Sequence, residues 1–137
     1  MSNEIATTNN SVNVYDVAAY STIANDSVDS GLKLAAMLNA AVSLNGHENQ
    51  EFVLVDVLFK PGVRKGRNGM PDMECTDVYM LTYDGEVFFS QSMGVARSVR
   101  NLLAMVPSLN KPEGVRVRLE TSTTQNGNTI KYLNPVL

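Results

Sequence analysis

The chain is poor in the residues that build covalent or metal-bound frameworks. Its 137 residues hold one cysteine, Cys75, and one histidine, His47. A lone cysteine excludes an intramolecular disulfide and fits a reducing compartment. One histidine beside one cysteine argues against a His/Cys zinc site. No apolar run reaches the roughly 18 residues a membrane helix needs, and the polar N-terminus lacks the charged-then-apolar order of a secretory signal. A soluble, cytoplasmic protein with no membrane partner is expected. Catalytic signatures are missing too. There is no Ser-centred elbow and no Gly-x4-Gly-Lys-Ser/Thr phosphate loop. Asp72, Glu74 and Asp77 cluster, but Pro71 and Cys75 interrupt any recognisable cation-binding loop. The expectation is a protein that is not an enzyme and holds neither metal nor cofactor.

What is present describes a globular chain. A hydrophobic content of 44% and a charged content of 18% suit an ordinary core and surface, and the length suits one domain. The net charge of −3 is unevenly spread: residues 1–51 carry six acids and one base, residues 52–137 ten bases and eight acids. Whole-chain charge therefore says little about any one face.

Residues 1–13 are polar and rich in Asn, Ser and Thr, and read as a mobile tail. Residues 14–48 read as an N-terminal helical segment. It opens with a short helix or arm over 14–24 and continues in a helix over 30–44, capped by Asp29 and ended by Asn45-Gly46. Leu34, Met37, Leu38, Ala41 and Val42 follow at helical spacing, a stripe that packs on a sheet. The sharper reading of that stripe is a homo-oligomer contact.

Residues 49–137 read as a barrel. The segment 51–59 is apolar on both faces apart from Asp56, as a central strand buried on two sides would be. Pro61-Gly62 is expected to end it. A loop over 60–73 follows, holding Lys60, Arg64, Lys65 and Arg67 with no acid before Asp72. Glycine-rich backbone with Arg and Lys is what close approach to a phosphate chain requires.

Two hairpins come next. Asp84-Gly85 reads as a two-residue turn, which pairs Leu81 with Phe88 and Met80 with Phe89. That register puts Val78, Met80, Val87 and Phe89 on one face, and Tyr79, Leu81, Tyr83 and Phe88 on the other. A helix over 93–106 carries Val95, Val99, Leu102, Leu103 and Val106 inward, with Arg97 and Arg100 outward. Asn126-Gly127 closes the last hairpin, 113–134, read as a type I′ turn pairing Thr121 with Tyr132. Val115, Val117, Leu119, Ile130 and Tyr132 then share one face, and Arg116, Arg118, Glu120 and Lys131 the other.

The predicted order is strand-strand-strand-helix-strand-strand, preceded by an N-terminal helix. It resembles the OB-fold, a mainly β five-stranded barrel that binds oligonucleotides on its strand 2–3 face and with its 1–2 and 4–5 loops. The likeness is to the single-stranded-DNA-binding OB proteins of bacteriophages and conjugative plasmids. It implies a sequence-tolerant single-stranded-DNA-binding protein (RNA being the other candidate ligand) that serves replication or transfer of a phage or plasmid in a bacterial host cell. The implied binding residues are Lys60, Arg64, Lys65 and Arg67 in the rim loop, Tyr79, Tyr83 and Phe88 as stacking rings, and Arg116, Arg118 and Lys131 on the last hairpin. Core packing under the N-terminal helix is the alternative for the rings, and a solvated outer face the alternative for the hairpin cations. A protein-binding adaptor built on the same barrel is the rival function.

Overall fold

The computed structural model describes residues 20–24 and 26–137. The tail expected over 1–13, and residues 14–19 of the expected arm, lie outside the described residues. The described chain is mainly β with two helices, and its strands form one curled mixed sheet, a half-barrel. The strands are β1 (Tyr20–Ser21), β2 (Val42–Ser43), β3 (Glu51–Arg64), β4 (Met73–Thr82), β5 (Val87–Ser90), β6 (Val115–Thr123) and β7 (Thr129–Pro135). Helix α1 spans Val28–Ala40 and helix α2 spans Met93–Met105. The sheet runs β2-β5-β4-β3-β6-β7, with β1 added on β3. Among the described residues only β2 and β5 pair in parallel.

Strand β3 is the organiser. Leu54, Val57 and Phe59 enter the main core, while Leu58 enters a second cluster on the opposite face. A register shift between Leu54 and Asp56 marks a bulge in its ladder with β4, a device that bends a strand locally. The main core lies within the curl, where Val78, Met80, Phe88, Val117, Leu119 and Leu133 meet Val95, Ala96 and Val99 of α2. Helix α2 touches both β4 and β7, so it bridges the open side of the half-barrel. Ser92 caps it, its Oγ accepting from the Val95 N–H at 3.3 Å.

Strand β3 does not stop at Pro61-Gly62. The ladder with β4 continues through Pro61↔Thr76 and Gly62↔Cys75 to Arg64↔Met73. Proline is tolerated because β3 has no second neighbour there among the described residues, and an edge can spare an N–H. The loop shrinks to 65–72. Its tip is a tight turn in which Asn68 and Gly69 both take positive φ and the Met70 N–H donates to Arg67 O at 3.0 Å.

Both later hairpins sit one residue away from the predicted register. Thr82, not Tyr83, closes the first turn: its carbonyl accepts from the Gly85 N–H at 3.0 Å, and its N–H donates to Glu86 O at 2.8 Å. Thr124 does the same with Gly127 and Asn128, at 2.9 and 2.8 Å. Only the glycine takes positive φ in each, not Asp84 or Asn126. These are three-residue loops with a bulge at glycine, not two-residue type I′ turns. A slip of one residue turns every side chain of the following strand to the other face. Met80 therefore pairs with Phe88, Tyr79 with Phe89, Leu119 with Leu133, and Glu120 with Tyr132.

The N-terminal helix differs from its expected bounds as well. Its N-cap is Ser27, not Asp29, and Ala41 ends it in an extended conformation. Asn45-Gly46 lies beyond β2 and caps nothing. Met37 is its one fully buried residue; with Leu34 and Ala41 it packs over Tyr79, Leu81 and Val87 on the outer face of β4 and β5. Leu38 and Val42, expected in the packing stripe, are exposed.

Candidate functional site

The corrected registers redistribute the aromatic residues. Phe88 is core, 4% exposed, and packs on Phe52 with ring centroids 5.0 Å apart. It presents no free ring. Tyr79 is half-buried beneath α1 and packs on Phe89, ring centroids 5.0 Å apart and planes tilted by 49°, and that burial pushes the Tyr79 phenol above its ordinary pKa. Tyr83 is exposed at 67%, but it lines a cavity with Glu51, Asp84, Glu86 and Arg116. The three rings expected on one platform thus occupy three environments.

Pairing divides the cations too. Lys60 lies within β3 and reaches the buried Asp77, Nζ to Oδ2 at 3.4 Å. Lys65 pairs with Asp72 at 3.6 Å. Arg118 meets Glu51 at 2.6 Å and Glu120 at 3.6 Å, and Arg116 meets Glu51 at 3.7 Å. Glu51 holds the Arg118 guanidinium even more firmly protonated than usual. Tyr132 shares that outer face and donates to Glu120 Oε1 at 3.2 Å, while Ile130, expected beside it, lies against Gly94 at the start of α2. Lys131 has left the outer face: the slipped register faces it inward, toward Asn45 at 2.7 Å and Glu48 at 3.4 Å. The Glu48 carboxyl is held below its ordinary pKa, chiefly by its own backbone N–H and also by Gly46 and Lys131.

Arginines outside these pairs converge, and the paired Lys131 joins them. Arg64, Arg67, Arg97 and Lys131 line one open cleft of about 600 Å³. Strand β3 supplies Arg64, the turn after it Arg67, helix α2 Arg97, and strand β7 Lys131. Phe89 and Ser90 of β5 form one wall, Ser92 and Gly94 at the start of α2 another, and Ile130 a third. No aspartate or glutamate lines the cleft among the described residues. Arg64, Arg67 and Arg97 make no ion pair among the described residues either; Arg64 instead donates to Gln91 O at 2.6 Å. A smaller cavity of about 320 Å³, lined in part by Met73, Cys75 and Ala96, shares Arg64, Gln91, Met93 and Arg97 with it.

The cleft therefore contains three of the expected residues, Arg64, Arg67 and Lys131. It adds Arg97 and Phe89, which the sequence placed on a solvated helix face and in the core. A correct turn type at Asp84-Gly85 was the signal for Phe89. Arg97 carried none, since only the tertiary approach of α2 to the rim brings it there. Chemically, the cleft offers unneutralised guanidinium groups, backbone polar groups at a helix start and one partly exposed ring. No group of three or more His, Cys, Asp or Glu able to hold a metal occurs among the described residues. No described helix is long and apolar enough to cross a membrane. Comparison with protein-family models, with curated proteins and with solved structures finds no match.

Proposed function

We propose that this chain is a non-enzymatic, sequence-tolerant protein that binds single-stranded DNA in the replication or transfer of a phage or plasmid. One observation carries the reading: Arg64, Arg67 and Arg97, from three elements and without an ion pair among the described residues, meet beside Phe89 and the Glu48-paired Lys131 in a cleft whose lining holds no carboxylate. A single strand needs a cationic track for its phosphates and flat rings for its bases. Phosphate and stacking contacts carry little base information, hence the tolerance of sequence.

The topology supports the same reading. With β1, β2 and α1 set aside, the order β3-β4-β5-α2-β6-β7 and the sheet path β5-β4-β3-β6-β7 agree with an OB-fold. The turn at 65–72 and the hairpin tip at 124–128 then correspond to its ligand-flanking 1–2 and 4–5 loops.

A second reading, a protein-binding adaptor or a self-associating module, draws on the outward row of α1, where Val28 and Leu32 are 78% and 63% exposed. The two separate by salt. Fluorescence anisotropy with dT and rU oligomers, against duplex, should show single-strand binding at low salt that weakens steeply at moderate salt. Binding to none of the three would overturn the nucleic-acid reading in favour of the protein partner.

A further inference from the structure

We infer that Gln91 is a positioning residue for the cleft, which Asp77 locks in place so that its carbonyl holds Arg64. The inference rests on the reading of the cleft as the nucleic-acid site. Its starting point is a buried carboxylate that the cleft itself does not use. Asp77 is 7% exposed on β4, facing Gly62 of β3. A carboxylate so buried is costly unless its oxygens are partnered. Oδ2 meets Lys60 Nζ at 3.4 Å, and Oδ1 accepts from Gln91 Nε2 at 2.9 Å. The same Nε2 donates to Val63 O at 3.3 Å. Gln91 is thereby bolted to β3 and β4 at once, one residue before the cap of α2.

The consequence lies on the backbone side. The Gln91 carbonyl accepts from Arg64 Nη2 at 2.6 Å, and Arg64 lines the cleft. A free arginine loses rotamer entropy when it is fixed; one held in advance meets a phosphate with part of that loss already taken. An apolar pair in place of Asp77 and Gln91 would fill the same space but could not fix this carbonyl.

Gly62 is part of the device. A Cβ there would lie 2.0 Å from Asp77 Oδ1, so any other residue must push the carboxylate off Gln91. Gly62, which together with Pro61 reads as a strand terminator, leaves the space in which Asp77 sits.

Gln91→Met keeps the length of the side chain and removes its donors. It should weaken dT-oligomer binding roughly tenfold at low salt, the size of one charge-assisted hydrogen bond. The log-log salt slope should fall by about 0.7, the share of one single-strand phosphate. A residue that merely supports the fold would lower the melting temperature and leave that slope unchanged. Gly62→Ala should reproduce the effect by displacing Asp77. In an Arg64→Ala background the Gln91→Met change should have no further effect on binding. A folded Gln91→Met protein with parental affinity and slope overturns the role of Gln91, as does an undiminished effect in the Arg64→Ala background. A parent protein that binds no oligomer at all overturns the reading of the cleft, and this role with it.

Discussion

Two regions of the molecule hold much the same residue types and differ in what surrounds them. In the cleft, Arg64, Arg67, Arg97 and Lys131 accompany Phe89 with no acid in the wall. Past the end of β4, around the turn that follows Thr82, Tyr83 and Arg116 line cavities with Glu51, Asp84, Glu86 and Glu113. An arginine and an exposed ring in the second region would be as good a ligand set, taken alone, as those in the first. Four carboxylates around them repel a phosphate chain at distances within the Debye length of about 10 Å. The sign of the neighbours, more than residue type, decides which region can serve a polyanion.

Phe88 and Phe89 test that contrast most severely, because adjacent residues fall on either side of it. Phe88 lies beneath the acid-lined cavity and within the core. Phe88→Ala should destabilise the fold by about 3–5 kcal/mol, as buried aromatic truncations do, and denaturant unfolding would register the loss. The next largest effect belongs to the cleft. Replacing Arg64, Arg67 and Arg97 together with alanine should leave the melting temperature near that of the parent, since all three are exposed. It should reduce the salt slope by up to about two units, at roughly 0.7 per phosphate. An unchanged slope would dissolve the distinction between the two ends. Phe89→Ala should then weaken binding on the order of tenfold by removing one stacked base, with the change measured on protein whose folding has been checked by its melt.

These assignments depend on register, and register is where the sequence was least legible. The order from β3 to β7, the doubly buried β3 and the helix at 93–105 follow from apolar periodicity, which one strand or helix carries by itself; the two-residue strands β1 and β2, read as arm and helix, are too short to show one. The turn types do not. Asn126-Gly127 has the composition of a type I′ turn, yet Asn126 keeps negative φ, and the loop closes one residue earlier through Thr124. Asn68-Gly69 has the same composition and does take positive φ at both positions. The difference is set by the ladders on either side. Arg64↔Met73 continues unshifted toward Asn68-Gly69, whereas Leu119↔Leu133 buries a leucine pair only if the later turn is longer. Packing chose the register, and the turn accommodated it. The same choice at Thr82 moved Phe88 into the core and Phe89 to the cleft. The cleft was legible only in part for a related reason: Arg64 and Arg67 announce themselves as a basic loop, but Arg97 reaches them only across the open side of the half-barrel.

The acid-lined region supplies the smallest expected effects, and they sharpen the contrast by being small. Tyr83→Ala should change oligomer affinity by less than about twofold, because a base stacked there would bring its phosphates against Asp84 and Glu86. The double change Arg116→Ala and Arg118→Ala goes further, since it removes two cations from a chain proposed to bind a polyanion. Glu51 and Glu120 already engage both guanidinium groups, so little positive potential remains for a phosphate to gain. Exposed ion pairs of this kind contribute about 0–1 kcal/mol to stability, and the melting temperature should move little. The salt slope should stay within about 0.3 of the parent value, well under the 0.7 of a single phosphate contact. A fall of a full unit would place the strand along the outer face of β6, and the carboxylates at that end would then have to be displaced on binding.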